Sequence, residues 1–251
     1  SVASRSSGFI DATLELGGKD AAYVAADADV EAAAANLIDG AFYNAGQSCC
    51  AIERVYCHES VHDEFVARAL ELVQAYKLGN PLDEATTMGP LALPSAPGML
   101  AAQVVDATTK GARLLCGGEA TADPETGMGR FFMPTLLDGC NQNMAIMREE
   151  SFGPVLGVAS VASDAEAAAK MDDSPYGLTC TVFTADAERA NYVGARVNTG
   201  TVFMNRCDYL DPLLPWGGQK HSGKGVSLGG VHGFRSLTRL KGFHLKLDPN
   251  A

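Results

Sequence analysis

The chain has 251 residues, 47% of them hydrophobic, and its 19 Lys+Arg against 30 Asp+Glu give a net charge of −11. That length and apolar content suffice for one large or two modest cores, whereas the acidity opposes non-specific binding to nucleic acid, whose phosphates it would repel. No run of 18 apolar residues offers a membrane-spanning helix, so small molecules or proteins, with no nucleic acid and no membrane, are the expected partners.

The first stretch, SVASRSSGFIDA from Ser1, has no initiating methionine and no signal-peptide pattern, and reads as the interior of a longer protein. LELGGKD, Leu14 to Asp20, follows. It places Glu15 between two leucines at a strand end, before a sharp turn at two glycines. A carboxylate enclosed by apolar neighbours is expected to suit the work of a general base. After Asp29, an N-cap, the alanine-rich Val30 to Tyr43 predicts a helix that ends in the Asn44-Ala45-Gly46 turn. Cys49 and Cys50 stand side by side just beyond it. Cys49 lies in a polar turn between a helix end and a strand, where its sulfur can face a cleft and its N–H a substrate oxygen. Those are conditions for a nucleophile.

ERVYCH predicts a strand, and Val61 to Tyr76 an amphipathic helix with Phe65, Ala69, Leu72, Val73 and Tyr76 at helical spacing. The alternation continues with a helix over Met99 to Thr109, strands at ARLLC, FFMPTLL and PVLGVASV, and a helix at DAEAAAKM. A strand at TCTVF, a helix at DAERANYVGARV and a strand at GTVFMN complete it. The fold class is therefore α/β, an open, mostly parallel twisted sheet flanked by helices. Leu210 to Gly230 is rich in Gly, Pro and Leu and reads as irregular. A closing edge strand is expected at LTRLKGFHLKL, guarded by Arg239, Lys241 and Lys246.

Seven cysteines form no CxxC pair and no zinc-like pairing with the five histidines, so no metal site is expected, and a reducing compartment such as the cytoplasm fits best. Cys57, Cys116, Cys140 and Cys180 read as buried structural thiols. GQKHSGK, Gly218 to Lys224, has the G-x-x-x-x-G-K spacing of a phosphate loop. It is followed by Gly225 instead of Ser or Thr, and no strand–loop–helix surrounds it. GKGVSLG carries its third glycine one position late for a dinucleotide fingerprint. Both read as flexible loop.

Together, Leu14-Glu15-Leu16-Gly17-Gly18-Lys19 and Gly46-Gln47-Ser48-Cys49 resemble the two active-site signatures of the aldehyde dehydrogenase superfamily. EESFGPV at Glu149 to Val155, SPYGL at Ser174 to Leu178, GTVFMN at Gly200 to Asn205 and LPWGGQKHSG at Leu214 to Gly223 match further landmarks in the family's order. The resemblance covers the chain from Leu14 onward. It implies an aldehyde dehydrogenase-like catalytic domain in which Cys49 is the nucleophile, Cys50 a packed neighbour and Glu15 the base. It further implies that Glu150 holds the nicotinamide ribose, that Phe152 lies against the nicotinamide, and that the cofactor is NAD or NADP. The implied domains are 1–16, the residual end of a coenzyme-binding domain; 17–222, the catalytic domain; and 223–251, a C-terminal segment with an oligomerisation strand.

The implied activity is oxidation of a small-molecule aldehyde to its acid through a thiohemiacetal and thioester on the cysteine, crippled in this fragment because the coenzyme-binding half is missing. The complete protein would be a homo-oligomer. The loop Arg206 to Trp216 takes the place of a substrate-tunnel loop, and its apolar residues suggest an apolar aldehyde. Two alternatives stand beside this: a non-catalytic fragment that binds a homologous subunit, and a cofactor-independent thiol esterase. The sequence departs from the family's pattern at Ile52-Glu53, at Ser151 and at Trp216. It also reads Val226-Ser227-Leu228-Gly229 where the family has Arg-Glu-Leu-Gly, so a proton-relay glutamate is absent.

Overall fold

The computed structural model describes residues 12–123, 126–127 and 129–248; most of the expected coenzyme-side segment, residues 1–11, lies outside them. Strands in chain order are β1 (Leu14–Glu15), β2 (Asp20–Val24), β3 (Ile52–His58), β4 (Arg113–Cys116), β5 (Ala120–Thr121), β6 (Phe131–Phe132) and β7 (Thr135–Asp138). They continue with β8 (Val155–Val161), β9 (Tyr176–Gly177), β10 (Thr179–Phe183), β11 (Thr201–Met204), β12 (Gln219–Lys220) and β13 (Gly223–Lys224). Helices are α1 (Val30–Phe42), α2 (His62–Gln74), α3 (Ala96–Thr109), α4 (Asp164–Asp172), α5 (Ala187–Gly194) and α6 (Gly230–Ser236).

One seven-stranded sheet, in the order β11-β10-β2-β3-β8-β7-β4, organises the domain. All its pairings are parallel except β4 with β7. Every residue of β2 and β10 is buried, as are all but one each of β3 and β8. Strands covered on both faces read as continuous apolar runs rather than as alternation. Helices α1 and α2 form one packed pair and α4 and α5 another. The Asp29 side chain caps α1 by accepting from Ala32 N at 3.0 Å, as its position predicts.

Parallel pairing aligns the N-terminal ends of β10, β2, β3 and β8 along one rim of the sheet. The segments leading into β2, β3 and β8 are 14–19, 46–51 and 149–154. The topology thus gathers the three motif segments that the sequence scatters over 140 positions. Arg54, 2% exposed, braces this rim from below. Its guanidinium donates to Lys19 O at 2.9 Å and to Met171 O at 3.1 Å, one of the carbonyls that the end of α4 leaves without a helical partner.

The closing strand expected at Leu237 to Leu247 is absent, and a short helix, α6, precedes the segment instead. Leu237, Leu240, Phe243, Leu245 and Leu247 are exposed. A strand must exchange its hydrogen bonds with a partner, and no other described strand lies beside this stretch. Among the described residues no helix is long and apolar enough to cross a membrane, and no group of three or more His, Cys, Asp or Glu could hold a metal ion.

Arg54→Met is expected to destabilise the domain by about 3 kcal/mol, because it strips donors from two buried carbonyls. Arg54→Lys should recover little, since one ammonium cannot span the same acceptors. Urea unfolding measures both, and a loss below about 0.5 kcal/mol for Arg54→Met would contradict this bracing.

Candidate active site

The nucleophile loop begins where α1 stops. Asn44, Ala45 and Gly46 follow one another with φ of 51°, 57° and 70°, all in the left-handed region. Asn and Gly tolerate it, but Ala45 is held there at a cost. The surroundings impose it: a Cβ on Gly46 would strike the Gly153 carbonyl. Gln47 clamps the turn with both ends of its amide, accepting from Ala92 N at 2.7 Å and donating to Asn44 O at 3.0 Å. Its place in the motif is thus explained by folding the loop.

Beyond the clamp the two cysteines part company. Cys49 is exposed and Cys50 buried, in a small apolar cluster with Leu178, Phe203 and Trp216. The Cys50 thiol donates to Asp208 Oδ1 at 2.9 Å, an oxygen that also accepts from Ser48 Oγ at 3.1 Å. The Cys49 thiol is lowered to about 7, first by the adjacent Cys50 thiol and also by its own backbone N–H; burial and the charges of Glu15 and Asp208 oppose this. Cys50 moves in the opposite direction, raised by its neighbour Cys49, by burial and by Asp208, whose carboxylate takes its one proton. Cys57 and Cys140 are buried and pushed up to about 12 by desolvation, whereas Cys116 is only half-buried.

Glu15 ends β1, as its position predicts, but the expected apolar enclosure is not there. Leu14 and Leu16 are 42% and 53% exposed. Residues adjacent on a strand point to opposite faces, so flanking leucines cannot wrap the side chain between them. The carboxylate is held by polar donors instead: Trp216 Nε1 donates to Oε2 at 3.0 Å and Ser227 Oγ to Oε1 at 2.9 Å. Its charge acts on the Cys49 thiol, and Trp216 packs with Cys50, so the two expected catalytic groups share one neighbourhood. Gly18 makes the approach feasible, since a Cβ there would collide with the Cys49 carbonyl.

Glu150 and Phe152 lie on the same rim. Glu150 Oε1 accepts from Gly18 N at 3.0 Å, and a Cβ on Gly17 would overlap its carboxylate. Burial pushes the pKa of the Glu150 carboxyl above the usual carboxylate range, the Gly18 N–H pulling the other way. Phe152 is 40% exposed and has φ of 48°. That backbone is pinned by Glu53, whose carboxylate accepts from Ser151 N at 3.1 and 2.9 Å and from Phe152 N at 2.9 Å. Lys19 Nζ completes the set, 2.6 Å from Glu53 Oε2 and 2.9 Å from Ser151 Oγ. Burial lowers the Lys19 value and Glu53 opposes it. A carboxylate with only one oxygen engaged and a half-exposed aromatic ring beside it suit a sugar diol and a flat heterocycle, so the residues present fit a nicotinamide nucleoside.

Sequence reasoning missed Asp208, the two donors on Glu15 and the Lys19–Glu53–Ser151 network. Glu53, Ser151, Trp216 and Ser227 had nevertheless stood out as departures from the family pattern. The signal was present, without the pairing that gives it meaning.

These features define an α/β catalytic-type domain built around a solvent-facing, acidified thiol. The Aldehyde dehydrogenase family model matches residues 1–243, and the chain belongs to that family. It is 36% identical over 246 residues to the mitochondrial aldehyde dehydrogenase of Mesocricetus auratus, covering 98% of this chain and 48% of that protein. Lactaldehyde dehydrogenase from Escherichia coli superposes with a TM-score of 0.84 at 37% identity, over 89% of this chain and 46% of that one. Betaine aldehyde dehydrogenase from Staphylococcus aureus, solved in complex with NAD+, gives 0.83 at 34% identity, over 89% and 44%. The chain thus spans about half the length of the relatives it matches.

Alkylation by iodoacetamide should modify Cys49 ahead of Cys50 and, because the thiolate is the attacking form, accelerate with rising pH to half its plateau near pH 7. Cys50→Ala should move that midpoint upward. A midpoint at the ordinary thiol value of about 8.5, or faster labelling of Cys50, would contradict the arrangement.

Proposed function

We propose that this chain is the nucleophile-bearing part of an NAD(P)-dependent aldehyde dehydrogenase that oxidises a small apolar aldehyde to the carboxylic acid. The observation that carries the reading is the convergence of Cys49, exposed and acidified, with Glu15 and the Glu150–Phe152 pair on one rim of the sheet. The Cys49 thiolate attacks the aldehyde carbon, and the thiohemiacetal oxyanion is stabilised by the backbone N–H of Cys49. Glu150 and Phe152 would hold the nicotinamide ribose and ring of NAD or NADP, which supplies the hydride acceptor when bound. Once the carbon reaches the acyl level, Glu15 takes a proton from water. The water oxygen bonds to the acyl carbon, the C–S bond breaks and the thiolate returns. Leu210, Leu213 and Leu214 are exposed on the loop that leads to Trp216, which favours an apolar substrate.

The relatives are about twice as long, so the 251 residues alone are expected to turn over aldehyde poorly. The division at 16/17 and 222/223 remains part of this proposal; β1, before the first boundary, pairs with β13, after the second. The exposed apolar stretch from Leu237 to Leu247 supports a homo-oligomer in which this stretch adds to a neighbouring subunit. Seven free cysteines favour a reducing compartment such as the cytoplasm.

Incubation of the chain with an activated ester such as p-nitrophenyl acetate should give a single acyl adduct on Cys49, lost in Cys49→Ala and kept in Cys50→Ala, as read by intact mass and peptide mapping. An adduct elsewhere, or none, would contradict the assignment. With an aldehyde and NAD+ or NADP+, the 251 residues should give no sustained cofactor reduction; robust reduction that Cys49→Ala abolishes would overturn the expectation of a crippled chain.

A further inference from the structure

Both oxygens of Glu15 are taken by side-chain donors, and those donors come from a single unit. Trp216 N donates to Leu228 O at 2.8 Å and Ser227 N to Trp216 O at 2.9 Å, so the two stretches are laced into a short antiparallel bridge. The Trp216 ring is 6% exposed and wedged against Cys50, Leu178 and Phe203. Its indole N–H therefore has one direction available, and that direction meets Glu15 Oε2. Ser227 Oγ meets the other oxygen. β1 is itself fixed to the same region, Glu15 standing opposite Gly223 and Leu16 N donating to Ser222 O at 2.9 Å.

We propose that Trp216 and Ser227 are positioning residues for the Glu15 carboxylate, fixing it in one rotamer for the hydrolysis of the acyl-enzyme. The proposal rests on the reading of Glu15 as base and Cys49 as nucleophile. A free glutamate side chain samples several rotamers, each staggered about its torsions, and an exposed one has little apolar packing to choose among them. Two donors on separate oxygens, carried by one rigid bridge, remove that freedom while each oxygen keeps a lone pair for a water proton. Trp and Ser thus perform by hydrogen bonding the confinement that the exposed Leu14 and Leu16 do not provide.

The step affected is deacylation alone. Water adds to the thioester carbon, its proton passes to Glu15, the C–S bond breaks and Cys49 leaves as thiolate. Formation of the acyl-enzyme needs only the thiolate and the ester. Ser227→Ala and Trp216→Phe, the second keeping an aromatic ring and losing the N–H, therefore separate the two steps.

The chain and its variants are acylated with p-nitrophenyl acetate, the burst of nitrophenolate is timed, and decay of the acyl-Cys49 mass is followed. Each variant is expected to acylate with a full burst amplitude and to deacylate roughly tenfold more slowly, the loss of one hydrogen bond to a charged group. Ser227→Thr, which keeps the hydroxyl, should restore the rate. Glu15→Gln should deacylate slowest, and adding Ser227→Ala to it should slow it no further. Full bursts with wild-type deacylation in both variants overturn the proposal and leave the Cys49–Glu15 reading intact. Slow deacylation that Ser227→Thr fails to restore, or that deepens in the Glu15→Gln background, overturns it too, as general disruption. Absence of acyl-Cys49 in the unsubstituted chain overturns the underlying reading and this proposal with it.

Discussion

The buried contact between Lys19 and Glu53 is the constraint on which the site depends. Two ions with side chains 0% and 4% exposed meet at 2.6 Å, and neither could remain charged in that interior alone. Lys19 comes from the segment that carries Glu15, and Glu53 from β3, two residues after the segment that carries Cys49 ends. Glu53 then uses both oxygens to hold the backbone N–H groups of Ser151 and Phe152, from the third segment. Ser151 Oγ passes the network on to Gln103 Oε1 at 2.7 Å. One ion pair with its hydrogen bonds thereby sets the mutual positions of three loops far apart in sequence.

Sheet topology prepares this and sequence chemistry completes it. Parallel neighbours β10, β2, β3 and β8 bring their N-terminal ends to one rim, so the loops before them are adjacent whatever their sequences. Open parallel sheets more often bind ligands beyond the carboxyl ends of their strands; here the motif residues gather at the opposite rim. What converts adjacency into a defined geometry is the Lys19–Glu53 pair, the close contacts permitted by Gly17, Gly18 and Gly46, and the left-handed run before Gln47. The same loop shape sends one cysteine outward and the next inward, where its thiol donates to Asp208. The paired cysteines thus have different surroundings, one facing solvent and one packed beside Leu178, Phe203 and Trp216.

Much of this was legible in the sequence. Periodicity revealed the helices from α1 to α5 and the strands β3, β4, β8, β10 and β11, because buried parallel strands and amphipathic helices leave strong patterns. β2 escaped, its DAAYV being short and alanine-rich although every residue is buried. The terminal strand does not form within the described chain for the converse reason: its alternation is real, but pairing is a property of two segments and the described chain supplies one. For the site, the resemblance to the family singled out Cys49, Glu15, Glu150 and Phe152 as candidates, and the structure brings all four to one rim. It gave nothing of what holds them. Flanking leucines suggest an apolar enclosure for Glu15, whereas its partners lie some 200 residues away, at Trp216 and Ser227. Long-range polar pairs leave no local periodicity, so four residues that depart from the family pattern acquire a purpose only when seen paired with Lys19 and Glu15.

A double-mutant cycle on Lys19 and Glu53, read by urea unfolding, tests this account most directly. Lys19→Met and Glu53→Gln should each cost about 3–5 kcal/mol, by stranding the other partner. The double variant should cost at least about 1.5 kcal/mol less than the sum. Single variants within about 0.5 kcal/mol of the unsubstituted chain, or losses that simply add, would show that the three loops are held together by something other than this pair.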